Sequence, residues 1–447
     1  MIEKAEFGVG RVTRFYIPLM LQAISQMLTY PLVAGIITRG EHGVNALTAF
    51  SQGQIIMFTV GALGGGLVTT GMVFARTWYG YVSFRRLNGM MMAVLLALQC
   101  VPVVPPFDRW LFQGFFALPP DLAEIARWTL LYSAVMNGVF FLRNVPMVVL
   151  FNKYESGKSN NATFARIIAT VALTAVFPRA GLVGPYWGLL ALTVGTIVEY
   201  TLTWAYARPY VRELKGIRTD AKELGARDML ALVFEQFRFT LPLSLGGFLL
   251  MLSPLIIAAF VGRTANAADM LSIHYVTLGV ANPVAGAAFR MQTVAVQFPP
   301  EYPGDRRLLV YALAAGAVLG LVPLAFSTPW LGDLYFGGYQ NVPDRILGTA
   351  RLAIGVYSLI CMIHAVRGRI EGIAAERKRP GAVMAGQIGY TAGLLIACAA
   401  LLPTGCAGWV LAISAIFFAP AFSTAVVYAA LHLAGARGER ARGRAAA

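Results

Sequence analysis

The pattern Arg14-Phe15-x-x-Pro18-Leu19 returns as Arg238-Phe239-x-x-Pro242-Leu243, an offset of 238 − 14 = 224 residues. The same offset carries Arg39 to Arg263, Phe112 to Phe336, Pro119 to Pro343, Arg127 to Arg351 and Arg143 to Arg367. Apolar matches come cheaply in a chain that is 57% hydrophobic, but arginines and prolines at a constant offset do not. The chain is therefore a duplication, and whatever one half folds into, the other must fold into as well. A looser echo, "RRLNGMMMAVLLALQCVP" from Arg85 and "RRLLVYALAAGAVLGLVP" from Arg306, belongs to the same repeat.

What each half contains follows from its apolar blocks. Only 13% of the residues are charged, against about 25% in soluble domains. The blocks are about 20 residues or longer, enough to cross a hydrocarbon core. Backbone facing lipid must be helical or part of a closed barrel. Barrel strands alternate polar and apolar residues, and "MMMAVLLALQCVPVV" does not. Twelve helices are predicted, at roughly 15–37, 46–75, 87–107, 125–151, 162–178, 184–206, 239–262, 271–298, 308–328, 347–373, 382–402 and 409–434. The first is read as a retained span, since its apolar run is too long for a signal peptide and no A-x-A site follows.

The fold class is accordingly an all-α polytopic membrane protein of two six-helix repeats. Six is even, so both repeats enter from the same side, an architecture of secondary transporters with substrate bound between the halves. The expected organisation is an N-terminal lobe at 1–207, a charged linker at 208–237, a C-terminal lobe at 238–434 and a basic tail at 435–447. Arginine and lysine crowd the loops of one side, which places both termini and the linker in the cytoplasm, with the chain integral to the plasma (bacterial inner) membrane. That topology accounts for the net charge of +15. The basic residues meet anionic lipid, and no nucleic-acid partner is expected.

A parallel six-plus-six repeat whose halves each open on a proline-bearing helix resembles the multidrug/oligosaccharidyl-lipid/polysaccharide exporter superfamily, with its MATE-like fold. "RFYIPL", "ITRGEHGVNALTAF", "GVANPVAGAAFRMQTVAVQFP" and "HAVRGRIEGI" look like its progressive ankylosis branch. The resemblance implies alternating-access export, in that branch of phosphate, pyrophosphate, nucleotides or organic acids. Other branches flip lipid-linked glycans or expel cationic drugs, often with a carboxylate in the first or seventh span. Here spans one and seven, "FYIPLMLQAISQMLTYPLVAGII" and "FTLPLSLGGFLLMLSPLIIAAFV", hold no Asp or Glu, which argues against standard cation-coupled drug export.

Intramembrane charges are functional candidates by default. Arg143 in span four, Arg290 in span eight and Arg367 in span ten form a basic set. Arg143 and Arg367 are repeat mates, expected to face each other if they point inward, and guanidinium forks hold phosphate or carboxylate bidentately. The alternative is that all three snorkel to lipid phosphates. Arg367 and Glu371 stand one turn apart and can neutralise each other. Glu199 is read either as a coupling acid or as the partner of an inner arginine. His364 is a second coupling candidate, and His274 beside Tyr275 is read like it as a proton relay or as hydrogen-bonded structure. Gln22, Ser25, Gln26 and Thr29 make a polar stripe on span one, with Asn282 and Gln292 on span eight, read as cavity lining or as interhelical packing. Pro31 and Pro254, at nearly corresponding places, are read as hinges or equally as static kinks. Arg39, Arg127, Arg263 and Arg351 are expected at outer helix ends, read as helix termination with an exit vestibule as the alternative.

Other motifs fail their context. "YESGKS" lacks the first glycine and the strand of a P-loop. There is no metal-ligand spacing, no cofactor is expected, and the four cysteines read as buried hydrophobes. The sequence reading is thus an exporter of an anionic small molecule, its coupling ion, proton or sodium, left open. The alternatives are a flippase for a lipid-linked glycan, cation-coupled drug efflux, and a membrane-embedded transferase or assembly partner.

Overall fold

The computed structural model describes residues 6–116, 118–216, 225–302, 304–340 and 342–446, with the side chains of 26–31, 44, 339 and 434–446 outside the description. The described chain is helical throughout. In order come α1 (Val9–Ile37), α2 (Gly43–Ala62), α3 (Gly66–Phe74), α4 (Trp78–Cys100), α5 (Pro120–Asn152), α6 (Ser156–Arg179) and α7 (Pro185–Gly216). The second repeat supplies α8 (Ala226–Met251), α9 (Ser253–Val261), α10 (Ala267–Phe289), α11 (Met291–Gln297), α12 (Arg307–Ala325), α13 (Pro329–Gly332), α14 (Asp344–Tyr357), α15 (Ile360–Glu376), α16 (Pro380–Leu401) and α17 (Gly408–Ala446). Ten helical stretches among the described residues are long and apolar enough to cross a membrane. With α1 and the α10–α11 pair they make the twelve expected spans. Helix also fills much of the expected linker, since α7 runs on to Gly216 and α8 begins at Ala226.

The repeat is visible in local geometry. A π-helical turn follows span three at Arg109–Phe115 and span nine at Asp333–Tyr339, the latter 224 residues on. In the first repeat Arg127 lies 3.5 Å from Asp108 beside that turn; in the second, its mate Arg351 binds Asp333 at 3.1 Å. These arginines fasten helix ends. Tyr154, after α5, and its mate Lys378, after α15, both take a left-handed backbone (φ 59° and 54°).

Several spans are broken where the sequence reads as continuous. Span two breaks at Leu63–Gly65, span seven at Leu252, span eight at Arg290 and span ten at Ser358–Leu359. The break at Leu252 sits two residues before Pro254, whose ring cannot accept the preceding helical turn. Span one differs: α1 runs unbroken past Pro31, whose side chain lies outside the described residues. All four cysteines are free.

By packing, the described residues form two units, one of those within Ser25–Ser244, the other of those up to Ile24 together with those from Leu245 on. In the first, α5 is the centre, packed by α2, α4 and α7. The start of α8 belongs here: Gln236 donates to Ser83 Oγ at 2.6 Å, Thr240 and Thr70 hydroxyls meet at 2.7 Å, and Phe239 stands edge-on to Phe74. In the second unit α15 is the centre, packed by α10, α11, α12 and α17. The start of α1 belongs to it: Tyr16 donates to the Ala287 carbonyl at 3.1 Å, and Phe15 stands edge-on to Phe298. Phe15 with Phe298 and Phe239 with Phe74 are the same pair under the 224-residue repeat, so the Arg-Phe-x-x-Pro-Leu motif is a docking element.

Gly368 and Gly372, one turn apart on α15, let that helix lie directly on the α10–α11 junction. A Cβ at Gly372 would collide with the Gln292 carbonyl oxygen and stand 2.7 Å from the Ala295 Cβ. Backbone cannot yield as a side-chain tip can, so Gly372→Ala is expected to destabilise by about 1–3 kcal/mol. Thermal unfolding of the purified variant checks this, and an unchanged midpoint would show that α15 has room to move.

Candidate functional site

Of the charged groups predicted inside the membrane, Arg143, Glu199, Arg367 and Glu371 are buried and clustered, one cluster in each unit, while Arg290 is half-buried at the end of α10. In the first unit the cluster spans α5, α6 and α7. Glu199 on α7 is wholly buried. Its Oε2 forms an ion pair with the Arg143 guanidinium of α5 at 2.8 Å and accepts from Arg166 of α6 at 3.0 Å, and its Oε1 accepts from the Thr163 hydroxyl at 2.6 Å. The close approach of α6 to α7 permits this. Gly195, one turn before Glu199, faces Thr170 Oγ1 and the Arg166 carbonyl, where any larger residue would hold the helices apart. Arg143, 8% exposed, packs its guanidinium 5.0 Å from the Phe140 ring centre, and its buried Nε has no hydrogen-bond acceptor. Among the described residues the cluster holds two guanidiniums and one carboxylate, one positive charge in excess.

In the second unit the cluster spans α15 and α16. Arg367, 2% exposed, donates from Nε to Glu371 at 2.7 Å and from Nη2 to Gln387 at 2.7 Å; Gln387 donates in turn to Glu371 at 3.0 Å. The Phe289 and Tyr390 rings lie 5.3 and 4.7 Å from the guanidinium carbon. One cation meets one anion, so this cluster is neutral. The repeat relates the two in detail. Arg143 corresponds to Arg367, Thr163 to Gln387, Arg166 to Tyr390 and Glu199 to Ser423, while Glu371 corresponds to Met147. The same sites hold a charge-rich arrangement in one half and a self-cancelling one in the other.

Arg143 and Arg367 are thus buried and paired, and neither snorkels. For Glu199 the pairing alternative is the one observed. Glu371 is as deeply buried as Glu199, so Glu199 is not alone among the described acids in such a position. Arg290 caps α10 at its break, Gln22 is buried in the second unit, Asn282 is exposed and Gln292 half-buried. The side chains of Gln26 and Thr29 lie outside the described residues. His364 stands edge-on to Phe289. His274 is buried with neither ring nitrogen hydrogen-bonded, so the hydrogen-bonded reading does not hold for it. Arg166 and Gln387 were missed by the sequence reading. Their signal is the Thr163, Arg166, Thr170 spacing, which puts three polar groups on one face of α6.

The architecture is that of MATE transporters of the MOP superfamily. A eukaryotic MATE transporter, AtDTX14, matches with a TM-score of 0.70 over 95% of both chains at 13% identity. A MOP superfamily transporter from Pyrococcus furiosus matches at 0.69 over 95% of this chain and 97% of its own, at 15% identity. The Vibrio cholerae MATE transporter VcmN in its bent form matches at 0.67 over 95% and 97%, at 14% identity. No protein-family model matches the sequence, and no curated protein does. The chain is a polytopic membrane protein with this fold.

Proposed function

We propose that the chain is a secondary transporter that exports an anionic small molecule of the phosphate, pyrophosphate, nucleotide or organic acid class by alternating access. One observation carries the reading: the buried cluster of the first unit has two arginines for one acid. Arginine keeps its charge at any physiological pH, and an uncompensated buried charge costs several kcal/mol. A group that completes the pairing is therefore bound favourably, and that group must be anionic. The spare Nε of Arg143 is the donor assigned to it.

The absence of acids from spans one and seven supports the same reading. So does the breadth of the fold, since reverse polarity of the binding pocket has been described for the Pyrococcus furiosus transporter, with a different function suggested for it. The motifs resembling the ankylosis branch point to the same cargo class. Arg143 and Arg166 are assigned to the anion and Glu199 to positioning them, whereas Arg367, neutralised by Glu371, is assigned to the interior of its unit.

Proteoliposome uptake of labelled pyrophosphate, citrate and nucleotides tests this. Arg143→Gln leaves Glu199 with Arg166 and Thr163, so the variant folds. Its uptake is expected to fall about tenfold or more, the worth of a charge-assisted hydrogen bond. Uptake equal to wild type, or no anion uptake by the wild type, would remove the proposal.

A further inference from the structure

A second cationic site lies at the end of the second unit where α12 begins and α15 and α17 approach their ends. A cavity of about 610 Å³ opens there, lined on its polar side by Arg306, Arg369, Arg377 and His432 and by the aromatic rings of Tyr302 and Tyr428. Leu309, Ile370, Ile373 and Leu431 form an apolar wall.

Its charge is only partly cancelled from within, since Asp305 and Glu301 share Arg307 at its rim. The acids at its rim are already engaged: Arg307 binds Asp305 through both Nε and Nη2, at 3.0 and 2.9 Å, and Glu301 at 2.7 Å. Arg307 holds the Asp305 carboxyl far below the usual carboxylate range, chiefly through these hydrogen bonds. Among the described residues no acid pairs with Arg306, Arg369 or Arg377. The Arg369 Nε is buried without a hydrogen-bond acceptor, its Nη2 reaching only the Asp305 carbonyl at 3.4 Å.

The first unit shows what a self-contained version of this turn looks like. The mate of Arg377 is Lys153, which binds Glu213 at 2.6 Å. The mate of Arg379 is Glu155, which accepts from Lys158 at 3.0 Å and from Tyr210 at 2.6 Å. The backbone of the turn is the same in both halves, yet the first pairs its charges and the second has replaced acid with arginine. Arg379 is itself taken up by the Leu431 carbonyl at 2.8 Å, so the guanidinium left for an outside anion at this turn is that of Arg377.

We infer that this cavity binds a phosphate monoester, its phosphoryl group held by Arg306, Arg369 and Arg377. A dianionic phosphoryl group offers three acceptor oxygens, which matches three guanidiniums lining one cavity. The rest of the ligand lies along the apolar wall and the tyrosine rings. Two sources share that chemistry, a lipid with a monoester headgroup at the basic face of the membrane and a soluble phosphorylated molecule.

Full-length protein in nanodiscs separates them. One arm uses phosphatidylcholine discs containing phosphatidic acid, with lipid retention read by native mass spectrometry. The other uses pure phosphatidylcholine discs titrated with glycerol 3-phosphate by calorimetry. Binding in either arm is expected to weaken about tenfold or more in the Arg306→Gln/Arg377→Gln variant. It is expected to be unchanged in Lys153→Gln, the corresponding position of the first unit. Both arginines are exposed, so the double variant retains its fold, which its unfolding temperature verifies. Retention of phosphatidic acid alone assigns the site to lipid, and saturable binding of glycerol 3-phosphate assigns it to a soluble ligand. No binding in either arm, binding indifferent to the double variant, or an equal loss in Lys153→Gln overturns the inference.

Discussion

Glu199→Ala is expected to destabilise the protein by about 3–5 kcal/mol, the typical cost of stripping one partner from a buried ion pair. Two guanidiniums, Arg143 and Arg166, lose the carboxylate between them. Both must then stay charged in a buried setting or drag the ends of α5 and α6 toward water. Thermal unfolding in nanodiscs should show a markedly lower midpoint. The second repeat prescribes a rescue: it carries Ser423 where the first has Glu199, Tyr390 where it has Arg166, and Glu371 where it has Met147. Met147 is itself buried, one turn beyond Arg143. The triple variant Met147→Glu, Arg166→Tyr, Glu199→Ser should therefore regain much of the stability while cancelling the excess charge, and anion uptake should stay low. An unfolding midpoint for Glu199→Ala equal to that of wild type would mean the two guanidiniums do not depend on this carboxylate.

The duplication and the helix count were legible because scarce residues at a fixed offset survive a background of interchangeable aliphatics. Arg143 and Arg367 were found by the same filter. Arg166 was not, because its mate is an uncharged tyrosine and the residue lies near the start of its span, where arginine reads as interfacial. Glu371 was seen only as a helical neighbour of Arg367, since spacing along one helix is all that sequence displays. The Gln387 bridge needed the packing of α16 on α15. The docking role of Arg-Phe-x-x-Pro-Leu was invisible for another reason. A repeat shows which residues are equivalent but not which copy each packs with, and both copies dock away from their own sequence neighbours. The breaks at Arg290 and Ser358–Leu359 carry no proline and left no mark in the apolar pattern.

The neutral cluster should behave in the opposite way to the charged one when both partners are removed. Arg367→Met alone leaves Glu371 with only Gln387, and Glu371→Leu alone leaves a guanidinium between Phe289 and Tyr390 with one amide to donate to. Each single variant is expected to lose about 3–5 kcal/mol. The double variant Arg367→Met/Glu371→Leu removes one charge of each sign and replaces them with side chains of similar length. Buried pairs exchanged this way often end neutral or more stable, because neither ion has to be desolvated. Its unfolding midpoint should therefore recover to near wild type, giving a coupling energy that a double-mutant cycle reads directly. No such recovery is available in the first unit by removing Glu199 and one arginine, since one cation would remain. Transport discriminates further. If the net charge of the first unit is what draws the anion, the double variant in the second unit should take up pyrophosphate or citrate within about twofold of wild type. That span corresponds to about 0.4 kcal/mol. If uptake instead falls as far as in Arg143→Gln, then Arg367 touches the cargo despite its pairing, and the division of roles between the two clusters is wrong.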